Sequence, residues 1–179
     1  MAEIAGLKLI VPSSVAGSGV SVSASGKVTF TSAPIVSING VFSSTYDNYL
    51  AVIRYTNTSS TNTRFRLRAS GTDATGSNYT YQLLRAGSTS VTGSRASSDD
   101  KGGIGGVSTS LMSGEHFYLY GPALAQPTAS RSITALSYLS ARILDVGVTH
   151  SLSTSYDGIT IYPSANDITG NVHVFGYEE

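Results

Sequence analysis

Apolar and polar residues alternate with a period of two in several stretches of this chain. "GVSVSASGKVTF" and "RFRLRAS" are the clearest, the second placing Arg64, Arg66 and Arg68 on one face and Phe65 and Leu67 on the other. That period marks a half-buried β-strand, because successive side chains point to opposite faces. "YTYQLLRA", "HFYLYG", "SITALSYL", "GITIYPS" and "NVHVFGYE" follow, each bounded by turn residues. The best stretch for a helix, "GPALAQPTASRSITALSYLSARIL", carries Pro122 and Pro127 and then many Ser, Thr and Ile. It reads as an extended linker followed by a strand. No helical crossover is at hand to join parallel strands, so the sheets are expected to be antiparallel. The pattern predicts an all-β fold: an antiparallel two-sheet β-sandwich, jelly-roll-like, of about ten short strands.

Two segments fall outside this pattern. The Gly- and Ser-rich "GSTSVTGSRASSDDKGGIGG" carries no strand signal and is expected to be a surface loop, or an arm ordered by a partner. Residues 1–17 are expected to form an N-terminal anchoring arm, with Leu7, Leu9, Ile10 and Val11 as its gripping residues. Residues 18–179 then make one β-sandwich domain.

A Ser/Thr-Tyr-Asp sequence occurs twice, as Tyr46-Asp47-Asn48 and as Tyr156-Asp157-Gly158, each time just before a run of β-formers. Asp accepts hydrogen bonds from backbone N–H groups two residues on, and Asn or Gly tolerates positive φ. The tyrosine is expected to lay its ring over the sandwich edge with its hydroxyl at water. The echo therefore predicts two similar structural corners. The rival reading, Asp47 and Asp157 as a general acid and base, needs both carboxylates in one cleft.

Composition narrows the function. Formal net charge is zero and 12% of residues are charged, against roughly 25% in ordinary soluble domains. About a quarter of the residues are Ser or Thr, so hydroxyls rather than ions make the polar surface. Such a surface gives no electrostatic reason to bind nucleic acid or an acidic membrane. It suits contacts with other proteins, where little charge has to be desolvated. The absence of cysteine rules out disulfides and thiolate metal sites. "LKLIV" is too short for a signal-peptide core and meets Pro12 at once, so assembly in a cytoplasm is expected.

Candidate chemistry is sparse. His116, His150 and His173 are scattered, and no G-x-S-x-G or H-E-x-x-H motif accompanies them. "KGGIGGVS" lacks the ending of a phosphate loop, and "SSDD" before it is weak as a calcium site. "NTS" at Asn57 and "NYT" at Asn78 match glycosylation acceptors but lack a secretion signal. Arg64, Arg66 and Arg68 are expected to form a solvated or subunit-facing stripe. Tyr79, Tyr81, Tyr118 and Tyr120 are candidates for a ligand groove, since tyrosine rings stack on sugars. No cofactor, metal or catalytic residue is expected.

"SINGVFSSTYDNYLAVI", "RFRLRASGTDATGSNYTYQ" and "THSLSTSYDGITIYPSANDITGNVHVFGY" together resemble a recurring set in small bacteriophage virion proteins. Related segments occur at the ends of longer phage minor tail proteins. The resemblance spans nearly the whole chain, from Val11 to Tyr177. It implies a non-enzymatic β-sandwich virion component assembled in the host cytoplasm: a capsid decoration, cement or knob protein, expected as a homotrimer on the major capsid protein. The alternative it leaves open is a tail-associated receptor- or carbohydrate-binding module. A hydrolase is the third reading and would need His and Asp converging in a cleft.

Overall fold

The computed structural model describes residues 6–87, 89–107, 111–136 and 142–178, and every regular element among them is a β-strand. The first eight are β1 (Leu7–Ile10), β2 (Ser14–Ala16), β3 (Val20–Val22), β4 (Val28–Ala33), β5 (Val36–Asn39), β6 (Asn48–Asn57), β7 (Thr61–Ala69) and β8 (Thr72–Asp73). The second eight are β9 (Tyr79–Gly87), β10 (Ser90–Asp99), β11 (Gly102–Val107), β12 (Ser113–Tyr120), β13 (Thr128–Leu136), β14 (Arg142–His150), β15 (Gly158–Pro163) and β16 (Ile168–Tyr177). They form two antiparallel sheets stacked as a β-sandwich. The larger runs β10-β9-β14-β13-β12-β6-β16-β4-β3, with β1 also paired to β16. The smaller runs β11-β7-β15-β5-β2, with β8 on β7.

Period-two patterning sets which face goes inward. β7 buries Thr63, Phe65 and Leu67, and β6 buries Tyr49, Ala51, Ile53 and Tyr55. β12 adds Phe117 and Leu119 from the same sheet as β6. Each large apolar side chain so buried contributes roughly 1.5–3 kcal/mol of transfer free energy. A one-residue slip would turn a whole stripe outward, so these stripes fix the register.

Sixteen strands form where about ten were expected, and the Gly/Ser-rich segment supplies two of the extra ones. β10 lies at the edge of the larger sheet and is exposed along nearly all of its length, so no buried face imposes an alternation on it. β11 carries glycine because it lies against the other sheet. A Cβ on Gly105 would stand closer than 3.0 Å to Thr134 Oγ1 and Glu115 Oε1, and one on Gly102 would enter the Phe65 ring. Gly105→Ala is therefore expected to cost about 1–3 kcal/mol in urea unfolding, by overpacking. Gly114→Ala, where a Cβ meets nothing within 4 Å, is expected to change stability by under about 0.5 kcal/mol. Equal losses at the two positions would contradict the close approach.

Residues 7–10 and 14–16 do not lie outside the strands. β1 is laid along β16, with Leu7 opposite Tyr177 and Leu9 opposite Phe175, and β2 pairs with β5. The end of "SITALSYL", from residue 137, lies outside the described residues.

The two Tyr-Asp corners do precede strands, with Asn48 opening β6 and Gly158 opening β15. Their chemistry differs from the expectation. Neither Asn48 nor Gly158 has positive φ. Gly158 is needed for space, since a Cβ there would stand 2.5 Å from the Ile38 carbonyl oxygen. The Asp157 carboxylate accepts from the Ser70 N–H at 3.0 Å, closing a distant turn rather than its own. Asp47 contributes its backbone carbonyl, which accepts from Gly121 N–H at 2.9 Å. Tyr46 lies over Gly176 and edge-on to Tyr49, whereas Tyr156 is buried, with its hydroxyl 3.3 Å from His150 Nδ1.

Candidate functional site

The three arginines of β7 do not act as one stripe. Arg68 is buried, and its guanidinium donates to Asn39 Oδ1 (2.9 Å), Ser37 Oγ (3.2 Å), Thr160 Oγ1 (2.7 Å), the Gly71 carbonyl and Asp73. It ties β5, β7, β8 and β15 together and is covered by them rather than standing in a solvated stripe. Arg66 pairs with Asp100 and lies over the Tyr162 ring at 5.2 Å. Both carboxylates of the "SSDD" pair are occupied by cations. Lys101 Nζ lies 2.6 Å from Asp99 and 2.6 Å from Asp100, and its hydrogen bond is the main cause holding the Asp100 pKa below the carboxylate range.

Arg64 follows a third course. Its guanidinium lies over the Tyr81 ring at 5.5 Å and donates to the Tyr81 hydroxyl at 3.3 Å. Both residues stand where the edge of the smaller sheet meets the inner face of the larger one. β9 and β10 project there past β11 as a wing, leaving a groove with Arg64, Tyr81 and Arg85 in one part and Arg85 with Arg142 in the other. The larger recess encloses about 380 Å³, with Asn62 and Ser164 on the opposite wall. Arg85 and Arg142 are inward-phase residues of β9 and β14, each in step with the buried side chains of its own strand. Among the described residues, no Asp or Glu lines either recess. The sequence signal for this groove is an arginine in a position where the strand's period calls for an apolar residue.

Tyr79 is a core residue rather than a ligand-face residue. It is fully buried, its hydroxyl accepts from Leu67 N–H at 2.9 Å and donates to the Ala74 carbonyl at 3.2 Å, and burial pushes its pKa well above the ordinary tyrosine value. Tyr118 and Tyr120 point the other way, onto the outer face of the larger sheet. There the register sets Leu9, Phe175, Leu50 and Tyr118 side by side across β1, β16, β6 and β12. Leu7 is 48% exposed, Leu9 37% and Tyr120 44%, so the row is the floor of an open apolar and aromatic patch. Two sequence candidates far apart in the chain, the N-terminal Leu7 and Leu9 and the tyrosines of β12, are thus brought onto one surface. Ile10 packs against the core instead, and Val11 is exposed just past the strand.

The histidines are separate. His116 and His173 both stand opposite Val52 on the outer face, two strand spacings or roughly 10 Å apart. His150 is buried between Tyr79 and Tyr156, at ring distances of 4.4 and 5.3 Å, and burial lowers its pKa. Among the described residues no three His, Cys, Asp or Glu side chains gather as a metal site.

One ionisable cluster lies inside the sandwich. Glu115 shares the inward phase of Phe117 and Leu119 and is fully buried. Tyr55 donates to its Oε1 at 2.5 Å and Thr134 at 3.2 Å, while Oε2 has no partner among the described residues. Burial raises its pKa from 4.5 to about 7, against the lowering effect of those two hydrogen bonds.

Set beside known proteins, the chain matches no family model, no curated protein and no solved structure.

Proposed function

We propose that this chain is a non-enzymatic structural protein of a bacteriophage particle, a decoration, cement or knob protein that works as a homotrimer on the capsid surface. The observation that carries the reading is the outer patch, where Leu7 and Leu9 lie with Tyr118 and Tyr120 on one open face. Contiguous exposed apolar surface marks a protein contact, and aromatic residues are enriched at the centre of such contacts. Beside the patch, Arg131 stands opposite Tyr118 and is already paired with Asp145, so its charge is partly compensated at such a contact. On this reading the patch meets the major capsid protein, and the sheet edges join the subunits.

A second reading, a tail-associated receptor- or carbohydrate-binding module, is supported by the groove beside β11, whose charged lining groups are all arginines. Two measurements separate the readings. Light scattering on the eluting protein is expected to give three times the 18.6 kDa chain mass. A monomer would contradict the trimer. Antibody labelling of intact virions is expected to decorate the head shell. Label confined to the tail would favour the second reading, and label on neither would contradict both.

A further inference from the structure

A recess of about 410 Å³ opens where the ends of β4, β6 and β16 meet, and every described residue on its wall is polar. That volume lies within the range of small-ligand sites, roughly 300–1,000 Å³. The chain itself braces the frame. Between the pairs Ala33–Ile168 and Phe30–Gly170, β4 carries one residue more than β16, and this bulge holds Ser32 at a φ of 45°. The Ser32 N–H then donates to Thr169 Oγ1 at 2.9 Å. Asn166, in the turn between β15 and β16, has a φ of 57°. Two non-glycine residues held in the left-handed region beside one cavity mark a shape kept against local preference, as ligand sites often are. The buried Asn57 ties the neighbouring turns together. Its Nδ2 donates to the Ala165 carbonyl at 3.2 Å, and its Oδ1 accepts from Ser59 N–H at 2.8 Å.

Several groups on this braced wall are left unspent. None of the ion pairs or side-chain hydrogen bonds among the described residues takes up the half-buried Asp167 carboxylate. Asn166 gives its Nδ2 to Ser59 Oγ at 2.6 Å and keeps its Oδ1, while the Ser32 and Thr58 hydroxyls are uncommitted. A carboxylate accepts strongly from O–H donors, and hydroxyls both donate and accept, so a ligand dense in hydroxyls answers the whole set. A bare cation would leave the hydroxyl donors unmet. An acidic sugar would set like charge against Asp167, since no Lys or Arg lines the recess among the described residues. The methyl groups of Thr56, Thr58 and Thr169 supply apolar surface for the C–H bonds of a ring. We propose that this recess binds an uncharged sugar, with Asp167 accepting from neighbouring hydroxyls of one ring and Asn166, Ser32 and Thr58 completing the contacts. The inference stands apart from the placement of the chain on a particle: it is read on the isolated chain, and that placement is read on virions.

The test is a titration of the isotope-labelled chain, in EDTA, followed through its backbone amide NMR shifts. The probes are the neutral disaccharides maltose, lactose and mannobiose, with digalacturonate and spermidine as charged comparisons. Saturable shifts centred on Ser32, Thr58, Asn166 and Asp167 are expected with at least one neutral disaccharide. Digalacturonate and spermidine are each expected to bind about tenfold more weakly or worse. Asp167→Asn is expected to weaken sugar binding about tenfold and Thr58→Ala about threefold, with unchanged melting curves as the check on folding. Gln82→Ala, on the outer face of β9 in the same sheet, is expected to bind as the unaltered chain does. Absence of saturable shifts with all three disaccharides would overturn the proposal. So would shifts centred elsewhere, or equal binding by the parent and all three variants. Equal or tighter binding of spermidine would overturn it in favour of an ammonium ligand, and equal binding of digalacturonate would overturn the choice of an uncharged sugar.

Discussion

Replacing Arg68 with methionine is expected to destabilise the protein by about 3–5 kcal/mol in urea unfolding. The side chain is 10% exposed, and that of its ion-pair partner Asp73 is 16% exposed, so water cannot readily take the place of either. Without the guanidinium, the Asp73 carboxylate keeps one hydrogen bond from Thr160, at 2.7 Å, and loses its compensating charge. Ser37, Asn39 and the Gly71 carbonyl lose their donor at the same time. Most of the cost is the stranded charge, which makes the effect strongly non-additive. Removing it as well, in Arg68→Met combined with Asp73→Leu, is expected to recover about 1 kcal/mol or more. A single-variant loss below about 1 kcal/mol would mean that the network contributes little.

The second large effect depends on pH. Glu115 holds its proton up to about pH 7 in the folded protein, against 4.5 when exposed. Between those values the folded state binds a proton that the unfolded state has released. Its contribution to stability is therefore full below pH 4.5, falls as pH rises to 7, and is flat above. The loss over that window is roughly 3 kcal/mol. Glu115→Gln keeps the shape and removes the titration. Measured against the unaltered chain, the variant is expected to gain about 3 kcal/mol of relative stability between pH 4 and pH 8. His150 works in the opposite direction, since burial depresses its pKa and its contribution is lost as pH falls below 6.5. Comparing variant with parent at each pH removes that background. A difference that does not change with pH would contradict the burial of an ionisable Glu115.

The parts of the fold that could be read from the chain are those where one face is buried and the other is wet. "RFRLRAS" alternates because Phe65 and Leu67 enter the core while Arg64 and Arg66 stay at the surface. β10 could not be read, because a wing strand with both faces in solvent has no alternation to show. β11 could not be read either, because close approach to Glu115 and Phe65 demands glycine, the residue that otherwise marks loops.

The candidate surfaces divide in the same way. Tyr118 and Tyr120 stood out as aromatic, but their neighbours Leu9, Leu50 and Phe175 are scattered along the chain and meet only through strand register. Tyr79 looked like a partner of Tyr81, and the period of two does place both on the inner face. Burial then separates them: Tyr79 sits under the smaller sheet and Tyr81 at its edge. Arg85, Arg142 and Glu115 share one signal, a charged residue in the inward phase of its strand. That signal separates a core defect from a groove only when the opposite sheet is known to stop short. It does so beside β11, which exposes the arginines and leaves Glu115 covered.

The outer patch is the central claim, and co-sedimentation tests it most directly. Purified chain would be mixed with virions assembled without it, beside a variant carrying Leu9→Glu and Tyr120→Glu. Both positions are exposed, so the variant is expected to fold. The account predicts saturable binding of the unaltered chain and at least a tenfold loss in the variant. A chain that stays in the supernatant, or a variant that binds as well as its parent, would contradict it.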